Sequence, residues 1–181
     1  MIKILNRDSA VLRAKARMIP PEEITSEKIR AVIARMKEAL DSQDDGVAIA
    51  APQIGESLQI VLVSRKVFRE YRKESSISEE NAQAKDMVLI NPEIVKQSQK
   101  KSWMEEGCLS VRWLYGKTYR ADKTTVRAYD ENGAIFTYGG SGLLSQIFQH
   151  EIDHLHGILF IDHAKNLKEF EPPKKGAAGN E

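Results

Sequence analysis

A chain of 181 residues is long enough for one domain with a substantial core and too short for two comfortable ones. Apolar residues make up 41% and charged residues 29%, and 27 Lys and Arg against 26 Asp and Glu leave a net charge of +1. That balance gives no whole-chain electrostatic case for nucleic acid or an anionic membrane as the main partner, and no apolar run reaches the length of a bilayer span.

The opening MIKIL reads as a strand, followed by a break at Pro20-Pro21. The N-terminal stretch lacks the apolar run and small-residue cleavage site of a secretory signal. With a single cysteine, Cys108, no intramolecular disulfide can form, so a reducing, cytoplasmic setting is expected. Over residues 25–43, Ile29, Ile33, Met36 and Leu40 recur at spacings of four, three and four, the apolar stripe of a helix capped by Thr25. DDGVAIAAPQIG, bracketed by Gly46 and Gly55, is rich in small residues and suits close backbone approach to a strand or a ligand. LQIVLV (58–63) and MVLINPEIV (87–95) read as strands. Residues 64–86 form a polar surface insertion between them.

TTVRAYD and AIFTYG flank Asn132-Gly133, the strongest hairpin signal in the chain. A second helix is expected from a Ser141 cap to Gly157, with GILFID adding a short strand and residues 166–181 a disordered tail. Strands surrounding two separated helices, with an antiparallel hairpin, argue an α+β fold rather than a βαβ alternation.

Three of the four histidines fall within QHEIDHLHG, residues 149–157. His150 and His154, four apart on a helix, share one face and can converge on one metal ion, with Glu151 beside them to reach a water. His156 points to the opposite side, as a surface or packing residue. A helix with histidines packed and hydrogen-bonded in a core would carry the same pattern. Two ligands leave a catalytic site incomplete, and Cys108 in EEGCLS could supply a third as thiolate. By itself a lone cysteine is more often a small buried apolar position.

Three segments together resemble the peptide deformylase family: GVAIAAPQ (46–53), EGCLS (106–110) and QHEIDH (149–154). The resemblance runs from the N-terminal strand to about residue 165, which it makes a single catalytic domain. It implies mixed and antiparallel sheets packed around a C-terminal metal-binding helix, with one further N-terminal helix. The activity implied is hydrolytic removal of the formyl group from the N-terminal formylmethionine of new polypeptides, releasing formate. Carried over residue by residue, the metal ligands are Cys108, His150 and His154 and the general base is Glu151. The Gln53 amide and the Leu109 backbone N–H stabilise the oxyanion. The implied cofactor is one divalent ion, Fe²⁺ physiologically, with Zn²⁺, Ni²⁺ or Co²⁺ able to substitute. The implied partners are N-formylmethionyl nascent polypeptides and the ribosome near its exit tunnel. Gly46, Val47, Ala48, Gly107 and Ile147 are expected around the substrate, the first three alongside its main chain as an added strand. For Gln53 the competing readings are a turn hydrogen bond or a surface polar residue, and for the pocket residues ordinary core packing.

The sequence departs from the family pattern at three places: Ala48 replaces glycine, Arg112 replaces proline, and Tyr115 replaces an arginine that meets substrate main chain. None touches the metal chemistry, and all bear on the grip beyond methionine. Two rival readings remain at this point. An H-E-x-x-H metallopeptidase would need a further downstream ligand, for which His163 lacks the spacing. A metal-stabilised binding protein that has lost turnover would have no use for Glu151.

Overall fold

The computed structural model describes residues 2–68 and 85–172. Helix α1 spans Glu27–Asp41 and turns its apolar stripe, Ile29, Ile33, Met36 and Leu40, into the core. Its cap is Ser26 rather than Thr25: Ser26 has the extended backbone of an N-cap, and its hydroxyl accepts the Ile29 N–H at 3.4 Å. Strands β1 (Ala48–Ala50), β2 (Ile60–Val63), β3 (Met87–Gln97), β6 (Lys123–Tyr129) and β7 (Ile135–Ser141) form one antiparallel sheet in that spatial order. Strands β4 (Lys101–Gly107), β5 (Leu114–Ala121) and β8 (Lys165–Glu169) form a second. Helix α2 covers Leu143–Leu155. The fold is α+β, with α2 as the C-terminal helix and α1 as the N-terminal one.

The first sheet lies between the two helices, which explains why β2 is apolar at every position. Ile60 and Leu62 join the cluster under α1, whereas the alternate residues Val61 and Val63 join the cluster with Leu144, Ile147, Phe148 and Ile152 of α2. At the hairpin, Asp130 accepts the N–H groups of Asn132 and Ala134, and Gly133 takes a positive φ of 80°.

Helix α2 carries the histidines, and its placement depends on Gln149. That side chain exchanges two hydrogen bonds with the Ala121 backbone, donating to its carbonyl and accepting its N–H, each at 3.0 Å. Ser145 Oγ donates to the same carbonyl at 2.7 Å. The helix is thereby fixed to the corner between β5 and β6, where the chain passes from the second sheet to the first.

Several expectations need correction. MIKIL is not a strand: among residues 2–5 the backbone finds only a bond from Leu5 N–H to the Gln53 carbonyl, at 2.8 Å, not a ladder. Ser141 ends β7, and the N-cap of α2 is Gly142, whose φ of 54° and ψ of −127° only glycine adopts readily. GILFID forms a 3-10 turn at Phe160–Asp162, because Asp162 Oδ2 takes the Leu159 N–H at 2.9 Å and closes the chain on itself. The boundary at 165 falls inside ordered structure: Lys165–Glu169 is β8, an edge strand on β5. Of the 64–86 insertion, Ser64 and Val67 are buried and Arg65 pairs with Asp86; residues 69–84 and 173–181 lie outside the described residues. Among the described residues, no helix is long and apolar enough to cross a membrane.

Candidate metal centre and catalytic cavity

Cys108 leaves the end of β4 and meets α2 where His150 and His154 face inward. The three donor atoms lie within 4.8 Å of one another, with Cys108 Sγ and His154 Nε2 3.2 Å apart. The imidazole rings cross at 78° with centroids 4.8 Å apart, as a four-residue helical step directs. Thiolate and two neutral imidazoles form a donor set suited to Fe²⁺ or Zn²⁺, three protein ligands that leave room for water.

The ring nitrogens of His150 are set by a carboxylate partner. His150 Nδ1 lies 2.6 Å from Glu106 Oε1. An ionised carboxylate only accepts, so Nδ1 carries a proton and Nε2 is the ring atom left to hold an ion beside the cysteine. Glu106 is itself held by Arg120 through Nε at 3.1 Å and Nη2 at 2.8 Å, and by the Thr118 hydroxyl at 2.5 Å. Arg120 extends the chain to Asp153 at 2.6 Å. Burial opposes ionisation of Glu106, but its bonds to His150 and Arg120 outweigh it and hold the carboxyl well below the usual range. His154 is shifted the other way: burial, then the neighbouring His150, keep its imidazole neutral.

Glu151 is 5% exposed, and Oε2 has no hydrogen-bond partner among the described residues. Burial pushes its carboxyl up to about 7. A proton acceptor tuned near neutrality beside a metal-binding set is what general-base chemistry requires.

Gln53 is fully buried, not a surface polar residue, and its place comes from the 3-10 turn Ala51–Ile54. Its Oε1 accepts the Ala50 N–H at 2.8 Å, while Nε2 donates to Ser110 Oγ at 3.1 Å and lies 3.6 Å from Cys108 Sγ. The amide is thus aimed at the cysteine by a polar frame. Ser110 N–H also points to the sulfur, at 3.4 Å.

A cavity of about 340 Å³ opens above these groups, lined by Cys108, His150, Glu151 and Gln53. Gly46, Val47, Ala48, Gly107, Leu109 and Ile147, all expected near substrate, line it too. Strand β1 is an edge strand, paired only with β2 among the described strands, so a peptide can add to its free side. Gly46 has a packing reason: a Cβ there would meet Leu40 Cδ1 at 2.8 Å. Ala48 sits in ordinary strand conformation with its methyl in the core under α2, so the replacement of glycine strains nothing.

The other departures are visible as well. Tyr115 lies over Gly107, where an added Cβ would come within 2.6 Å of its ring. Arg112 spans the cavity wall, bonding both oxygens of Asp45, at 2.5 and 3.0 Å, and Gln43 Oε1 at 2.8 Å. It joins the loop before β1 to the loop after Cys108. Neither Glu106, Arg120 nor the Asp45–Arg112 bridge was legible as a site feature in the sequence. His156 is exposed and bonded to its own helix at the Ile152 carbonyl, and His163 lies 3.6 Å from Asp153, outside the donor set.

Residues 1–170 match the polypeptide deformylase family model, and the chain belongs to that family. It is 39% identical over 156 residues to peptide deformylase 2 of Clostridium acetobutylicum, covering 86% of this chain and 89% of that one. It is 38% identical over 170 residues to the peptide deformylase of Halothermothrix orenii, covering 93% and 97%. In structure it resembles a peptide deformylase from Legionella pneumophila, with TM-score 0.75 and 34% identity over 92% of this chain and 87% of that one. It is similarly close to a class I type b peptide deformylase from Acinetobacter baumannii, with TM-score 0.75 and 28% identity over 90% and 98%.

Proposed function

We propose that this chain removes the N-formyl group from formylmethionyl polypeptides with one divalent ion held by Cys108, His150 and His154, and with Glu151 as the proton carrier. The observation that carries the assignment is the meeting of those three donors beside a cavity that Cys108, His150, Glu151 and Gln53 line.

When bound, the ion is a Lewis acid that makes water more acidic and polarises the formyl oxygen. Glu151 accepts the proton of the attacking water and delivers it to the amine as the carbon–nitrogen bond breaks, so formate and a free N-terminus leave. As the carbonyl carbon becomes tetrahedral, negative charge gathers on its oxygen. The Gln53 N–H now directed toward Cys108 turns to that oxygen, Ser110 keeps the other, and the Leu109 backbone N–H is the second donor. Glu106 fixes the His150 tautomer throughout.

We assign Fe²⁺ as the physiological ion, with Zn²⁺, Ni²⁺ and Co²⁺ as substitutes the thiolate–imidazole set also accepts. The substrate is a polypeptide as it is made, so we place the enzyme in the cytoplasm, at work near the ribosomal exit. The test is formate release by anaerobically metal-loaded protein. Formyl-Met-Ala-Ser should be cleaved efficiently, formyl-Gly-Ala-Ser much more weakly, and acetyl-Met-Ala-Ser essentially not at all. The loss of the methionine side chain's apolar contact costs on the order of 2 kcal/mol. Comparable rates on formyl and acetyl peptides would revive the metallopeptidase reading.

A further inference from the structure

The catalytic cavity adjoins a second and larger groove. Glu105 and Tyr115 line both, so they form the ridge between them. The groove, about 820 Å³, lies over β5 and β8, and its apolar walls are Trp113, Leu167 and Phe170. Leu167 is 43% and Phe170 54% exposed, an apolar surface gathered in one concavity rather than scattered. The ridge is fixed from both sides. Gly107 leaves no room behind the Tyr115 ring, and Phe170 meets that ring edge-on at 5.4 Å. Phe170 is held in turn by a bond from its N–H to the Trp113 carbonyl, at 2.9 Å. The charges in the lining, Lys117 and Lys168 against Glu105 and Glu171, balance. A polyanion is therefore a poor match, and a neutral apolar segment a good one.

We propose that this groove is an exosite for the substrate polypeptide downstream of its first three residues, taking an extended segment with apolar side chains. The occupant follows from continuity with the catalytic cavity. Three extended residues span roughly 10 Å, and a longer chain that crosses the Tyr115–Glu105 ridge runs directly onto the walls that β8 supplies. The inference rests on the deformylase reading and adds a preference to it.

The test compares formyl-Met-Ala-Ser with a formylated decapeptide carrying Phe and Leu after the serine, on the metal-loaded full chain. KM for the decapeptide should be roughly tenfold lower, what about 60 Å² of apolar burial gives, with kcat little changed. Phe170→Ala should erase that advantage and leave tripeptide kinetics alone, while Phe170→Leu should retain most of it. A wild-type KM independent of length would overturn the exosite. So would Phe170→Ala losing equally on both peptides. Absence of formate release from the tripeptide would count against the proposed function alone. Anisotropy of the labelled Phe- and Leu-containing segment, which carries no formyl group, then reads the groove directly. Weaker binding by Phe170→Ala supports the exosite, and equal binding by wild type and Phe170→Ala overturns it.

Discussion

Arg120→Met should damage the metal site without touching any ligand. The Arg120 side chain is 8% and that of Glu106 3% exposed, so the variant leaves a buried carboxylate with His150, Thr118 and a long bond from Gln146 as partners. Removing one member of a buried pair costs about 3–5 kcal/mol, and the three surviving partners put this case near the lower end. Asp153, at 24% exposed, keeps access to water and adds little. Glu106 then protonates more readily, the His150 tautomer is less firmly set, and affinity for the ion should fall roughly 10–100-fold. Urea unfolding of metal-free protein reads the first effect and chelator competition the second. The double variant Glu106→Gln/Arg120→Met should recover much of the stability, having no unpaired charge, but not the ion affinity. Unchanged stability and unchanged affinity in Arg120→Met would refute the role given to this chain of contacts.

Glu151→Gln should keep the ion and lose turnover by several orders of magnitude, since it removes a proton acceptor and not a ligand. It should also stabilise metal-free protein. With its carboxyl raised from 4.5 to about 7, folded wild type keeps a proton that the unfolded chain gives up. Wild-type stability is therefore lost between those two pH values and levels off above, at a cost of about 3 kcal/mol that the variant escapes. Urea midpoints should agree near pH 4 and favour the variant near pH 8; equal midpoints at both would contradict the burial argument. Gln53→Leu should bind the ion and lose roughly 10²–10³ in kcat, the usual effect of one oxyanion donor. A near wild-type kcat would remove Gln53 from the reaction.

The reach of the sequence differed between parts of the molecule for physical reasons. Periodicity located α1 and α2 because each buries a regular stripe, runs rich in β-branched residues located β2 and β3, and the Asn-Gly turn located the hairpin. The H-E-x-x-H spacing is local, so the pairing of His150 with His154 was legible directly. Cys108 could be joined to them only through the resemblance, because 42 residues separate it from His150 and nothing in its surroundings states that distance in space. Glu106 and Arg120 were illegible for the same reason: each looks like one more strand charge until β4 and β5 pair and turn both inward. β8 was missed because Lys165–Glu169 is exposed at every position and has no apolar alternation, its order coming from the ladder with β5. The small-residue stretch 46–53 was recognisable as a close-approach segment, but the exposure of β1 at a sheet edge is a property of the sheet order.

The ligand set is tested most directly by X-ray absorption at the edge of the bound ion in anaerobically loaded protein. For a zinc-loaded sample it should show one sulfur at about 2.3 Å and two imidazole nitrogens at about 2.0–2.1 Å, with the remaining position taken by a light atom. The sulfur signal should vanish in Cys108→Ala. A first shell of nitrogen and oxygen alone in the wild-type protein would contradict the assignment of Cys108, His150 and His154 as one site.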